Sequence, residues 1–169
     1  MTATPSFADD DAQIRNLLAR YCLLLDLDDI EGWVALFTPN ATYEVYGRTF
    51  GGHDGLRRML SGAPSGLHLG GPPVVELVDD NHVRTQRNLL FIDRATGESR
   101  SAVYDDDLVR TGEGWRITRC RCQFIVADGL SDDGTRVVVE RHVAGHPSFR
   151  LIDNPARALQ VRPRAREVT

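Results

Sequence analysis

In the stretch RYCLLLDLDD, an aspartate, Asp26, follows directly on three leucines. A carboxylate on the apolar side of a helix must find a partner or lose its charge, because burial disfavours the ionised form. Two readings of Asp26 stand open. Either the helix ends here, and Asp26, Asp28 and Asp29 face water or cap a helix beginning at Ile30. Or Asp26 lies in a cavity, where it orients or deprotonates another group. Histidine is the side chain that exchanges a proton near neutral pH without perturbation, and there are five: His53, His68, His82, His142 and His146. His53 sits at a helix start and His82 follows a turn, positions that point to solvent. His142 and His146 have the spacing of a helical metal pair, but Gly145 and Pro147 argue against a helix and no third ligand accompanies them, so no metal site is expected. Asp105, Asp106 and Asp107 alternate along a strand, so Asp106 faces away from its neighbours. It reaches the mouth of a pocket, with or without Tyr104, or belongs to a solvated face with arginine partners. All 20 basic residues are arginine, which excludes Schiff-base chemistry on a lysine of this chain.

These residues have to be carried by folded elements. The chain of 169 residues is 41% hydrophobic and 26% charged, proportions of a single globular domain with a sizeable core. A net charge of −4 gives no reason to expect nucleic acid or a membrane surface as partner. No apolar run reaches the length of a membrane span, and the start MTATPSFADDD lacks the features of a signal peptide. With the three cysteines Cys22, Cys120 and Cys122, the expectation is a reduced cytoplasmic protein with free thiols. Residues 9–27 repeat Ile14, Leu17, Leu18, Tyr21, Cys22 and Leu25 at helical spacing. A second short helix is expected from Asp29 to Phe37, broken by Pro39 and Asn40. Residues 41–47 read as a strand and 52–62 as a short helix. Four strand candidates follow: GLHLGGPPVVELVD, HVRTQRNLLFIDR, SRSAVYDDDLVRT and GWRITRCRCQFIVAD. Pro72 and Pro73 predict a kink or an edge in the first of them. The segment RVVVERHV reads as a strand, and Arg157, Arg162, Arg164 and Arg166 read as a solvated terminus. The order predicts an α+β protein with helices packed on one face of a curved antiparallel sheet.

The opening IRNLLARYCLLLDLDDIEGWVALFTPNATYEVYG, with Tyr21, Asp26, Trp33, Phe37 and Tyr43 in place, resembles the SnoaL-like branch of the nuclear transport factor 2 superfamily. YDDDLVRTGEGWRIT is similar to that family's penultimate hairpin. The resemblance implies a cone-shaped α+β barrel of the NTF2-like/cystatin-like kind, in which a strongly curved antiparallel sheet wraps around N-terminal helices and encloses an apolar pocket. Residues 1–127 would form this one domain, and 128–169 a C-terminal extension packing on it or on a neighbouring subunit. In site pattern the chain resembles scytalone dehydratase and bacterial bile-acid dehydratases, which use an Asp on the first helix and a His near the first long strand. HLGG at 68–71 matches that strand opening, and Tyr21 stands five residues before Asp26 as in the bile-acid enzymes.

The resemblance implies a cofactor-independent dehydratase or isomerase acting on a small apolar cyclic hydroxy-ketone, steroid-like or polyketide-like. His68 would move the proton, Asp26 would fix its tautomer, and Tyr21 with Tyr43 or Tyr46 would hydrogen-bond the developing enolate. Tyr43, Tyr46, Asn88, Tyr104 and Trp33 are the candidate substrate-binding residues. The chain departs from the scytalone enzyme at Leu25, where that enzyme has a Tyr. It also lacks a clear second His, RTQRNLLF offering Arg87 or Asn88 instead. The opening also resembles the β subunit of aromatic-ring-hydroxylating dioxygenases, a non-catalytic alternative, and a small-molecule binding protein is a third. A homodimer or homotrimer is expected, through an open sheet face apolar enough to pair.

Overall fold

The computed structural model describes residues 7–126 and 129–132, with the backbone of 149–150 and 160–161. His142, His146, the four tail arginines, RVVVERHV and most of the expected 128–169 extension fall outside the described residues. Helix α1 (Phe7–Asp26) and the short α2 (Ile30–Val34) lead into strands β1 (Phe37–Val45) and β2 (Arg48–Gly51). Helix α3 (Gly52–Ser61) follows, then β3 (Gly66–Gly70), β4 (Val74–Asp79), β5 (His82–Asp93), β6 (Ser99–Thr111), β7 (Gly114–Val126) and β8 (Gly129–Ser131). Phe149–Arg150 (β9) and Gln160–Val161 (β10) form a separate antiparallel pair.

The long helix forms as its periodicity predicts. Ile14, Leu17, Leu18, Tyr21 and Cys22 are its buried stripe. Its end corrects the sequence reading downstream. Asp28 takes a left-handed backbone (φ 57). Asp29 then caps α2, accepting from the Gly32 N–H at 2.9 Å. Helix α2 stops at Val34, and Phe37 opens β1 instead of closing a helix. Pro39 and Asn40 lie exposed inside β1, where its pairing with β7 skips from Phe37↔Ile117 to Thr42↔Arg119. Proline lacks the ladder donor and sits where the ladder is interrupted.

Eight strands make one sheet in the order β2-β1-β7-β6-β5-β3, with β4 also on β5 and β8 on β7. The expected first strand divides in two. Gly71, Pro72 and Pro73 interrupt it, so β3 pairs with Leu89–Asp93 and β4 with His82–Gln86 along one edge of β5. The sheet is mixed, since β1 runs parallel to β7 while the other pairs are antiparallel. Helices α1 and α3 lie against this curved sheet, and the core fills the concavity with Trp33, Phe37, Leu56, Leu108, Trp115 and Ile117.

Registry places the inward side chains in rows running from the rim to the depth. His68, Phe91 and Arg100 form one row across β3, β5 and β6. Leu89, Ala102 and Phe124 form the next, then Arg87, Tyr104 and Cys122, then Thr85, Asp106 and Cys120. A bulge near Thr118 keeps the last strand in step: Trp115 and Ile117 are buried before it, Cys120, Cys122 and Phe124 after it. The outer face differs from the expected apolar one. Arg84, Gln86, Asp105, Asp107, Arg119 and Arg121 project there, linked by pairs such as Gln86–Asp105 (2.8 Å) and Arg119–Glu44 (2.8 Å). Apolar side chains on that face include Leu67 and Leu69 of β3 with Leu90 and Ile92 beside them, Val74 opposite Gln86, and Val103 opposite Asn88. Among the described residues, no helix is long and apolar enough to cross a membrane.

Candidate active site

The helix does end at Asp26, but its carboxylate neither faces water nor caps α2. The Asp26 side chain turns across to β3. One oxygen, Oδ1, accepts from the His68 backbone N–H at 2.8 Å and lies 2.8 Å from His68 Nδ1. A carboxylate oxygen only accepts, so Nδ1 carries the proton of this contact, which in a neutral imidazole puts the lone pair on Nε2. The two side chains are 19% and 15% exposed, sheltered from bulk water without being sealed off. Phe91, the next residue in the row, packs its ring 4.9 Å from the imidazole. His68 lines a cavity of about 150 Å³, walled by Leu25, Leu60, Leu89, Phe91 and Phe124. Asp26 stands behind the histidine and does not itself line the cavity.

Three phenols close the deep end. The Tyr21 and Tyr43 hydroxyls are 2.8 Å apart, and Tyr104 neighbours Tyr43. All three are buried, and burial raises each pKa well above the ordinary value, so they remain hydrogen-bond donors throughout the working pH range. Because one of Tyr21 and Tyr43 donates to the other, a proton of the pair is left to give elsewhere.

Two of the expected binding residues are placed elsewhere. Trp33 is fully buried against Tyr21 (5.4 Å) and Phe37 (4.5 Å), a core residue behind the phenols. Asn88 points to the exposed outer face and packs beside Gly71, because strand alternation turns its neighbour Arg87 inward instead. Tyr46 does line the cavity, at its rim, with its ring stacked on Phe124 at 5.1 Å. His53 is half-buried and lies 3.1 Å from the Phe37 carbonyl through Nε2, while His82 is exposed and pairs with Asp79.

The SnoaL-like domain family matches residues 6–121. The chain belongs to the SnoaL-like domain family. Uncharacterized proteins of Mycobacterium bovis and Mycobacterium tuberculosis are 31% identical to it over 124 residues, 65% of this chain and 82% of theirs. An NTF2-like protein with a cystatin-like fold from Novosphingobium aromaticivorans superposes with a TM-score of 0.62 at 24% identity, covering 69% of this chain and 82% of that one. A scytalone dehydratase-like protein of the same organism superposes at 0.63 and 19% identity, over 75% and 89%. Hexachlorocyclohexane dehydrochlorinases share the fold as well, at 0.59.

Beneath the phenols this SnoaL-like chain holds a charge pair that spacing did not single out as a pair. Arg87 and Asp106 have side chains 1% and 0% exposed and meet at 3.2 Å. The guanidinium is clamped between the rings of Tyr21 (4.5 Å) and Tyr104 (4.9 Å). Burial opposes the Arg87 charge, yet Asp106 and Tyr21 hold its pKa above the ordinary value. The sequence places an Arg and an Asp on adjacent strands, but that both face inward follows from the pairing of β5 with β6. Cys22, Cys120 and Cys122 are buried free thiols. Burial raises their pKa values, to about 11 at Cys122, which makes them poor nucleophiles.

Proposed function

We propose that this SnoaL-like protein is a cofactor-independent lyase that removes water from a cyclic hydroxy-ketone, with His68 as the proton-transferring group. The observation that carries the reading is the Asp26–His68 contact at 2.8 Å, with the imidazole lining an apolar cavity. Nε2 takes the proton α to the carbonyl, or γ to it in an enone, and the electron pair moves onto the carbonyl oxygen. The phenol cluster donates to that oxygen while it is negative. The enolate then collapses, the carbon–oxygen bond to the hydroxyl breaks, and the imidazolium returns its proton so that water leaves. Asp26 holds the tautomer and stabilises the imidazolium in between. Without a leaving group, return of the proton to a different carbon gives an isomerisation on the same groups. A cavity volume near 150 Å³ matches one six-membered ring. The reacting ring therefore enters, and any further rings of a larger substrate lie at the mouth. The dehydratase-like and dehydrochlorinase neighbours support elimination as a chemistry this fold carries.

The test is a panel of cyclic hydroxy-ketones assayed by mass spectrometry for loss of one water, with His68→Ala alongside. Turnover by the wild type and a fall of about 10²- to 10⁴-fold in the variant is the expected result. Equal turnover in the variant removes His68 from the mechanism. Binding without turnover in either protein supports a small-molecule carrier instead.

A further inference from the structure

Among the described residues, one arginine lines the cavity. Arg100 sits on β6 directly across from Phe91, which sits directly across from His68. Side chains opposite one another in antiparallel strands share a face, and strands lie about 4.8 Å apart. The backbones of His68 and Arg100 are therefore roughly 10 Å apart along one row, with Phe91 as the floor between them. The Arg100 guanidinium is half-buried and makes no ion pair among the described residues. Asp93 feels its charge, but Asp93 Oδ1 is taken by the N–H groups of Ala95 and Thr96. Asp28, the carboxylate at the rim, is held by Arg94 at 3.0 Å. Among the described residues, Arg100 donates to the Tyr46 hydroxyl, at 3.4 Å.

Tyr46 adds a second, independent observation. The β1–β2 hairpin closes through Tyr46 and Gly47, both with positive φ (55 and 65), the mirror-image turn that suits twisted strands. That first position favours Asn, Asp or Gly, and a side chain such as tyrosine costs about 1 kcal/mol there. The turn nevertheless aims a phenol at the cavity rim, stacked on Phe124 and next to Arg100. Left-handed backbone outside glycine is concentrated at binding sites.

We infer that Arg100 and the Tyr46 hydroxyl form a carboxylate site, and that the substrate is a ring bearing a carboxylate on the side away from His68. This rests on the elimination proposed above for what the ring undergoes, while the anion site itself is read by binding. A guanidinium offers a planar pair of donors that a carboxylate matches, and a phenol adds a third. A ring with its acid group on Arg100 presents its opposite edge to Nε2 of His68. The anion thereby fixes which carbon loses the proton.

The experiment is calorimetric titration of the full chain with benzoate and with benzamide, a neutral ring of the same shape. Wild type, Arg100→Gln and Tyr46→Phe are compared at low and at high NaCl, with circular dichroism confirming the fold. Benzoate is expected to bind at least about tenfold more tightly than benzamide, with that preference lost in Arg100→Gln, reduced in Tyr46→Phe and weakened by salt. Equal affinity for the two probes, no binding of either, or a preference that survives Arg100→Gln overturns the proposal. Titration needs no turnover, so its failure and failure of the His68→Ala assay are separate results.

Discussion

A single oxygen of Asp26 accepts from both the backbone and the ring of His68. An asparagine can offer its carbonyl to the same two donors, but without the negative charge. Asp26→Asn is therefore expected to keep the fold while kcat drops by about 10²-fold or more, measured in steady-state dehydration assays beside a thermal melt. The phenols behave differently. Tyr43→Phe leaves the buried Tyr21 hydroxyl without its 2.8 Å partner, so a stability loss of about 1–3 kcal/mol in urea titrations accompanies any loss of rate. At this scale the sequence was informative where the family pattern reached. Asp26, His68, Tyr21, Tyr43, Tyr46 and Tyr104 come together at one cavity or directly behind it. It was silent where the decisive quantity is the side of a strand. Asn88 and Arg87 are neighbours, and only the register of β5 against β6 decides which one faces in.

Strand β3 is the element that holds His68, and its closest fit is at Gly66. A Cβ there would stand 2.2 Å from the Ile92 carbonyl oxygen and 2.5 Å from the Phe91 ring. The carbonyl belongs to the backbone of β5 and cannot swing aside. Gly66→Ala should push β3 off β5, lowering stability by about 1–3 kcal/mol and reducing turnover as His68 moves with the strand. A thermal melt and a rate measurement on the same sample check both effects. Gly71→Ala is the contrast, because the atom it meets, Asn88 Oδ1 at 1.9 Å, ends a side chain on the exposed face and can rotate away. Helix α1, helix α3 and strands β5 to β7 were legible from periodicity and turn residues, since each carries its own local signal. The break between β3 and β4 falls at Pro72 and Pro73, where a kink was expected, but the bulge near Thr118 was not legible. It depends on how far one strand must slide past another to stay paired on a curved sheet, and no local window carries that information.

For the molecule as a whole, Asp10 joins the start of α1 to the far hairpin. It accepts from Arg110 and from the Trp115 indole N–H, while the Arg110 guanidinium lies 4.6 Å from the Trp115 ring centre. The Arg110 hydrogen bond, opposed by burial and aided by Trp115, holds the Asp10 carboxyl below its ordinary value of 3.8. A carboxyl whose value is lower folded than unfolded stabilises the fold fully above the unfolded value. That contribution fades as the pH falls through the folded value. Asp10→Asn should cost about 1–2 kcal/mol at pH 7, at the low end for a charged hydrogen bond because Arg110 stays partly solvated. The gap between variant and wild type should narrow in melts taken below about pH 4. The same long-range closure shows in the parallel seating of β1 on β7, with Thr42 beside Arg119. On the ribosome, β1 emerges long before the strand that must flank it. Its edge on the β7 side has to wait until nearly the whole described domain has been made. Late docking of β7 would then set the pace of maturation, and a chain cut short before Ile117 would leave that edge open to clumping.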